Sequence, residues 1–120
     1  MDNVRPSEIR YSRETRMLTL VFDDNSFEMS AEFLRVHSPS AEVRGHGAGQ
    51  EVLQIGKEDV GIESIEPVGN YAVRLCFDDG HSSGLYSFQE LYRLGNQRDS
   101  LWAAYLRALE EAGVQRRTQG

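Results

Sequence analysis

An α+β fold built on an antiparallel sheet is what this chain of 120 residues predicts, and three observations predict it. First, Tyr71, Val73, Leu75 and Phe77 alternate with Ala72, Arg74 and Cys76, the period of two that marks a half-buried strand. Asp79-Gly80 then supplies the residue pair of a two-residue hairpin turn, and a return strand runs from His81 to Tyr86. Second, this unit ends in a helix signal: Ser87 is an N-cap, Glu90 completes a capping box, and Gly95-Asn96 stops the helix. Third, the unit is written twice. Leu18, Leu20 and Phe22 repeat Val73, Leu75 and Phe77; Asp23-Asp24-Asn25 repeats Asp78-Asp79-Gly80; and the stretch Ser30 to Arg35 echoes Ser87 to Arg93. Two copies are too few for a solenoid, so they read as two halves sharing one core.

Taken in order, residues 1 to 7 form a polar lead-in, and Glu8 to Tyr11 a first strand. A charged turn leads into the first copy of the hairpin unit, Met17 to Ser30. The helix from Ser30 buries Phe33 and Leu34 and ends by His37, because Ser38-Pro39 disfavours its continuation. Glu51 to Ile55 and Val60 to Pro67 read as an extra hairpin closed by Gly56 to Asp59. After the second copy comes the longest helix, about 99 to 113, capped by Asp99 or Ser100 and stopped by Gly113. Leu101, Trp102, Tyr105, Leu106 and Leu109 give it an apolar stripe to lay on the sheet, and residues 114 to 120 read as a frayed tail. The whole, 1 to 120, reads as a single domain with a modest core.

Composition narrows the function. A net charge of −6, with acids interleaved among the basic residues, argues against a nucleic-acid partner, because backbone binding needs clustered Lys and Arg. No apolar run reaches the roughly 20 residues of a membrane span. The N-terminus lacks the apolar region of a signal peptide, so a cytoplasmic location is expected. Cys76 stands alone, which excludes an intrachain disulfide and an all-cysteine zinc site.

Candidate chemistry is sparse. His37, His46 and His81 lack the His-x-Asp or His-x-Glu step of a facial iron site. Asp78, Asp79 and His81 could present ligands together, yet hairpin chemistry already explains both aspartates. A Ser82, His81 and Asp79 hydrolase lacks the strained nucleophile elbow. Gly45, Gly47 and Gly49 suggest a phosphate loop, but no Lys-Ser or Lys-Thr follows and a strand, not a helix, is expected downstream. Cys76 sits where the first copy has Val21 and reads as a packed thiol. Arg35, Arg44, His46, Arg74, His81 and Tyr86, with Tyr92, are the expected protein-contact surface, since Arg and Tyr favour such patches.

Several motifs in order carry a resemblance: Leu34-Arg35, Ser38 to His46, Tyr71 to His81, and Gly84 to Phe88. Over nearly all of residues 5 to 96 the chain resembles the gamma-butyrobetaine hydroxylase-like N-terminal domain family, formerly a domain of unknown function. That family includes domains preceding carnitine-pathway dioxygenases, domains appended to P-loop ATPases that carry iron–sulfur clusters, and standalone bacterial proteins; this chain resembles the last. In the dioxygenases the domain holds a structural zinc through three cysteines and a histidine. The resemblance maps these onto Ser38, Ser40, Val43 and His81, so three ligands are replaced and a vacant zinc site is implied.

The expectation is therefore a non-catalytic accessory or protein-interaction module without a cofactor. Family association points its protein partner toward iron–sulfur cluster or iron-dependent metabolism. The alternative is a metal-binding protein using His81 with His46, His37 or nearby carboxylates, and a third reading is a nucleotide binder through the glycine-rich loop. Exposed hairpin edges leave a homo-oligomer open.

Overall fold

The computed structural model describes residues 5–40, 52–82 and 84–116. Two antiparallel three-stranded sheets make up the strand content. The first holds β1 (Glu8–Ser12), β2 (Met17–Val21) and β3 (Ser26–Ser30), followed by helix α1 (Ala31–Val36). The second holds β4 (Ile62–Val68), β5 (Ala72–Phe77) and β6 (Gly84–Ser87), followed by α2 (Phe88–Asn96) and then α3 (Arg98–Glu111). The α+β architecture matches the expectation from periodicity, and the duplication runs deeper than the sequence suggested. Each half is a three-strand meander plus a capped helix, with β4 the counterpart of β1.

That correspondence corrects one element. Residues 52–55, expected as a strand, carry no regular structure, and β4 instead pairs with β5, Glu66 opposite Arg74 and Ile65 opposite Leu75. A short apolar run satisfies a strand and a packed loop equally well, and here Leu53 packs beside Val36 and Tyr105.

Both helices start as their caps dictate. Ser30 Oγ accepts the Phe33 N–H and Ser87 Oγ accepts the Glu90 N–H, each at 3.0 Å. The second hairpin differs from expectation. Phe77 accepts from the Gly80 N–H at 3.2 Å and donates to the His81 carbonyl at 2.9 Å, so three residues, Asp78 to Gly80, form the loop. Only Gly80, at φ +91°, has to adopt the left-handed region, which is the three-residue hairpin closed by a glycine bulge. Tyr71, expected on the buried face with Val73, Leu75 and Phe77, lies in the preceding turn and is 55% exposed.

The core confirms that the halves are one body. Leu18, Leu20 and Phe22 from the first half share a single buried cluster with Val73, Leu75 and Phe77 from the second, joined by Phe33, Leu34, Leu91 and Leu94 from the helices. Tyr11 stitches the sheets together by accepting the Ile62 N–H at 2.9 Å. Helix α2 crosses to the first half, where Tyr92 meets Phe22 and Phe27 edge-on with centroids 5.1 and 5.2 Å away.

Helix α3 begins one residue earlier than expected, at Arg98, with Gln97 at its N-cap and no side-chain cap bond. Its stop is a Schellman motif: Gly113, at φ +74°, donates to the Glu110 carbonyl and Val114 to the Leu109 carbonyl. Tyr105 and Leu109 are buried, but Leu106 of the expected stripe is 40% exposed. Residues 114–116 do not fray. Val114 packs against the Val36, Tyr105 and Leu109 cluster, and Arg116 grips Glu32 of α1 while lying over the Trp102 ring. Among the described residues no helix is long and apolar enough to cross a membrane.

Candidate functional site

The polar residues singled out in the sequence converge where the end of α1 meets the second hairpin. Because Ser38-Pro39 ends the helix, the chain there turns toward β6, and the Ser38 hydroxyl comes within 2.9 Å of His81 Nε2. Ser38 Oγ also accepts the Ser40 N–H at 3.2 Å. A side chain at position 84 would put its Cβ 2.7 Å from Ser38 Oγ, so Gly84 makes this approach feasible. Tyr86, beneath, donates its hydroxyl to the Leu34 carbonyl. Burial pushes the Tyr86 pKa well up, against an opposing hydrogen bond with Ser38.

Beside this cluster Asp79 is a hub. Its Oδ2 accepts Arg35 Nε and Lys57 Nζ, both at 2.9 Å, and its Oδ1 accepts the His81 backbone N–H at 3.1 Å. Desolvation would raise the Asp79 pKa, but Lys57, the His81 N–H and Arg35 together override it and hold the carboxyl at about 2. Arg35 extends the network by donating Nη1 to Gln54 Oε1 at 3.0 Å. Asp78 Oδ1 accepts the Gly61 N–H at 3.0 Å. Both turn aspartates thus fasten the hairpin to the segment before β4.

These contacts correct the expected surface. Tyr86 is fully buried, and Arg35 and His81 are 7% and 8% exposed, so none of the three is available to a partner. Their polar ends are used inside the fold, which amino-acid type alone does not reveal. Arg74 is exposed, as expected, and pairs loosely with Glu66 across the strands. Tyr92 is half-buried, its hydroxyl bridging Asn25 and Asp24. Val43, Arg44, His46 and Gly45, Gly47 and Gly49 lie outside the described residues.

Neither a Ser82, His81 and Asp79 triad nor the family's zinc site fits the described cluster. Asp79 binds the backbone of His81, not the imidazole, so it cannot orient that ring as a triad acid would. Ser38 and Ser40, at the positions mapped to zinc cysteines, offer hydroxyls in place of thiolates, and Ser38 Oγ already bonds His81 Nε2, the nitrogen's own partner. Among the described residues no three His, Cys, Asp or Glu side chains gather as a metal group.

What faces outward is different in character. Arg74 stands opposite Glu66 on one side and Leu85 on the other, a row across the outer face of the second sheet. Leu85 is 39% exposed, and with Tyr71 and Pro39 it lines a shallow depression of about 270 Å³. Cys76 is half-buried on the same strand face as Arg74. A second, larger groove of about 420 Å³ lies between α3, α2, the end of α1 and residues 52–54. No local sequence signal announces it, because its wall is assembled from four separate stretches.

The family model described as gamma-butyrobetaine hydroxylase-like, N-terminal, matches residues 9–92. No curated protein matches the chain. Among solved structures, one protein determined in solution by NMR is 48% identical, with a TM-score of 0.84 over 99% of this chain and 94% of that one. A second NMR structure is 46% identical, with a TM-score of 0.81 over 96% and 86% of the two chains. A crystal structure of a protein of unknown function from Acidithiobacillus ferrooxidans, of the DUF971 family, is 34% identical, with a TM-score of 0.64 over 76% of this chain and 92% of that one. With a family match across most of its length and a shared fold at this identity, the chain belongs to the gamma-butyrobetaine hydroxylase-like N-terminal family.

Proposed function

We propose that this chain is a non-catalytic accessory protein of the cytoplasm that works as a protein-interaction module. One observation carries the reading. Ser38, His81 and Arg35, polar side chains suited to chemistry, are buried and bonded to one another and to Asp79 at the exposed hairpin tip, whereas Tyr71, Arg74 and Leu85 stand outward on the second sheet. An aromatic and a leucine lining a shallow depression, with an exposed arginine opposite that leucine on the neighbouring strand, suit a protein surface, where Tyr and Arg anchors dominate binding energy. The partner belongs to iron–sulfur cluster or iron-dependent metabolism, an assignment that rests on family association alone.

The test compares proteins retained from cell extract by the wild type and by Arg74→Glu/Leu85→Asp. Both positions are exposed, so the variant keeps the fold, which its amide spectrum checks. The reading predicts a protein retained by the wild type and lost by the variant. Identical retention by both, or substrate turnover by the purified chain, overturns it.

A further inference from the structure

The groove of about 420 Å³ has the size of a small-molecule site, and its wall is mainly apolar: Val36, Val52, Leu53, Leu101, Ala104 and Ala108. Its polar side chains decide what it would accept. Arg93 lays Nε and Nη2 on the two Glu90 carboxylate oxygens at 3.0 and 2.7 Å and turns Nη1 to Gln97. Gln54 accepts from Arg35 and donates to the Val52 carbonyl. The Tyr105 hydroxyl donates to the Gln54 carbonyl at 2.8 Å, and Ser38 is held by His81. His37 is the exception. Its Nδ1 lies 2.9 Å from the Phe33 carbonyl, which can only accept, so the proton sits on Nδ1 and Nε2 carries a bare lone pair. Nε2 has no hydrogen-bond partner among the described residues, and His37 is one of the residues that line the groove.

We propose that this groove binds a small, uncharged, largely apolar molecule whose single hydrogen-bond donor is received by His37 Nε2. The wall presents no unneutralised charge to hold an ion, since Glu90 and Arg93 cancel each other. One acceptor in an apolar setting selects a donor such as an indole N–H or a phenol O–H, because an apolar analogue leaves the acceptor without a bond. This site lies apart from the Tyr71, Arg74 and Leu85 face, and it stands or falls independently of partner binding there.

The probes are indole and 1-methylindole, nearly equal in shape, of which only the first has a donor. Each is titrated into the full chain at neutral pH while amide resonances are followed. Saturable shifts are expected at residues 36–38, 53–54 and 104–108, with indole bound about fivefold more tightly than 1-methylindole, the worth of one hydrogen bond. Ala104→Phe, at an exposed position, fills the groove and should abolish the shifts with the fold unchanged. His37→Phe should erase the preference between the two probes. Absence of saturable shifts, shifts that survive Ala104→Phe, or equal affinity of the wild type for both probes each overturns the proposal.

Discussion

Arg35 of α1 donates to Asp79 at the tip of the second hairpin at 2.9 Å, and the equivalent residues of the other half, Tyr92 of α2 and Asp24 at the tip of the first hairpin, meet at 3.0 Å. Arg35 and Tyr92 hold the same place relative to their N-caps, Ser30 and Ser87, and Asp24 and Asp79 the same place in their turns. Each helix therefore reaches across to the hairpin of the other half. This reciprocal grip fastens two short units whose buried residues share one core.

The two grips differ in burial, and mutation should show it. The Arg35 side chain is 8% exposed, so Arg35→Met strips a part-buried contact to the Asp79 carboxylate and also leaves Gln54 without its donor. Lys57 still partners Asp79, so the cost should be about 2 kcal/mol, below that of a fully orphaned ion. Tyr92→Phe removes exposed hydrogen bonds only and should cost about 0.5 kcal/mol. Urea midpoints of the two variants check the order; a larger loss for Tyr92→Phe would contradict it.

Asp79 should also make stability fall in acid. Its folded pKa, about 2, lies below the ordinary 3.8, so its ionised contacts stabilise the fold above 3.8 and are lost as pH drops from there through about 2. The stability gap between wild type and Asp79→Asn should shrink across that window. A gap that stays constant from pH 5 to pH 2 would show that the carboxylate is not held by Lys57, the His81 N–H and Arg35.

Gly95 tests the packing of α2 on the first half. Added there, a Cβ would stand 2.5 Å from Phe27 Cγ. Alanine favours helix by about 1 kcal/mol over glycine, but overpacking a ring costs about 1–3 kcal/mol. Gly95→Ala should therefore lower the melting temperature, and Phe27→Leu in the same chain should recover part of the loss. A stabilised Gly95→Ala would mean that the helix does not dock on Phe27.

Legibility in the sequence followed the range of the interaction. Alternation placed β2 and β5, and Ser30 and Ser87 placed the starts of α1 and α2, because those signals act within a few residues. Residues 52–55 failed, since a short apolar run leaves strand and packed loop undecided until a partner strand is known. For the site, the sequence isolated Ser38, Ser40 and His81 through family resemblance, but it assigned Arg35, His81 and Tyr86 to the surface. Their burial depends on contacts between residues far apart in the chain, such as Tyr86 with Leu34 and Arg35 with Asp79. The His37 groove was invisible for the same reason.

Ser38 Oγ and His81 Nε2 bond each other inside the fold and tie the end of α1 to the second hairpin. Metal content per chain, by elemental analysis of protein purified without air, tags or chelators, tests whether that pairing stands in place of a metal. Folded protein with zinc and iron far below one equivalent is expected, both in the wild type and in His81→Ala. Near-stoichiometric zinc or iron in the wild type that disappears with His81→Ala would contradict it and make the hairpin a metal centre.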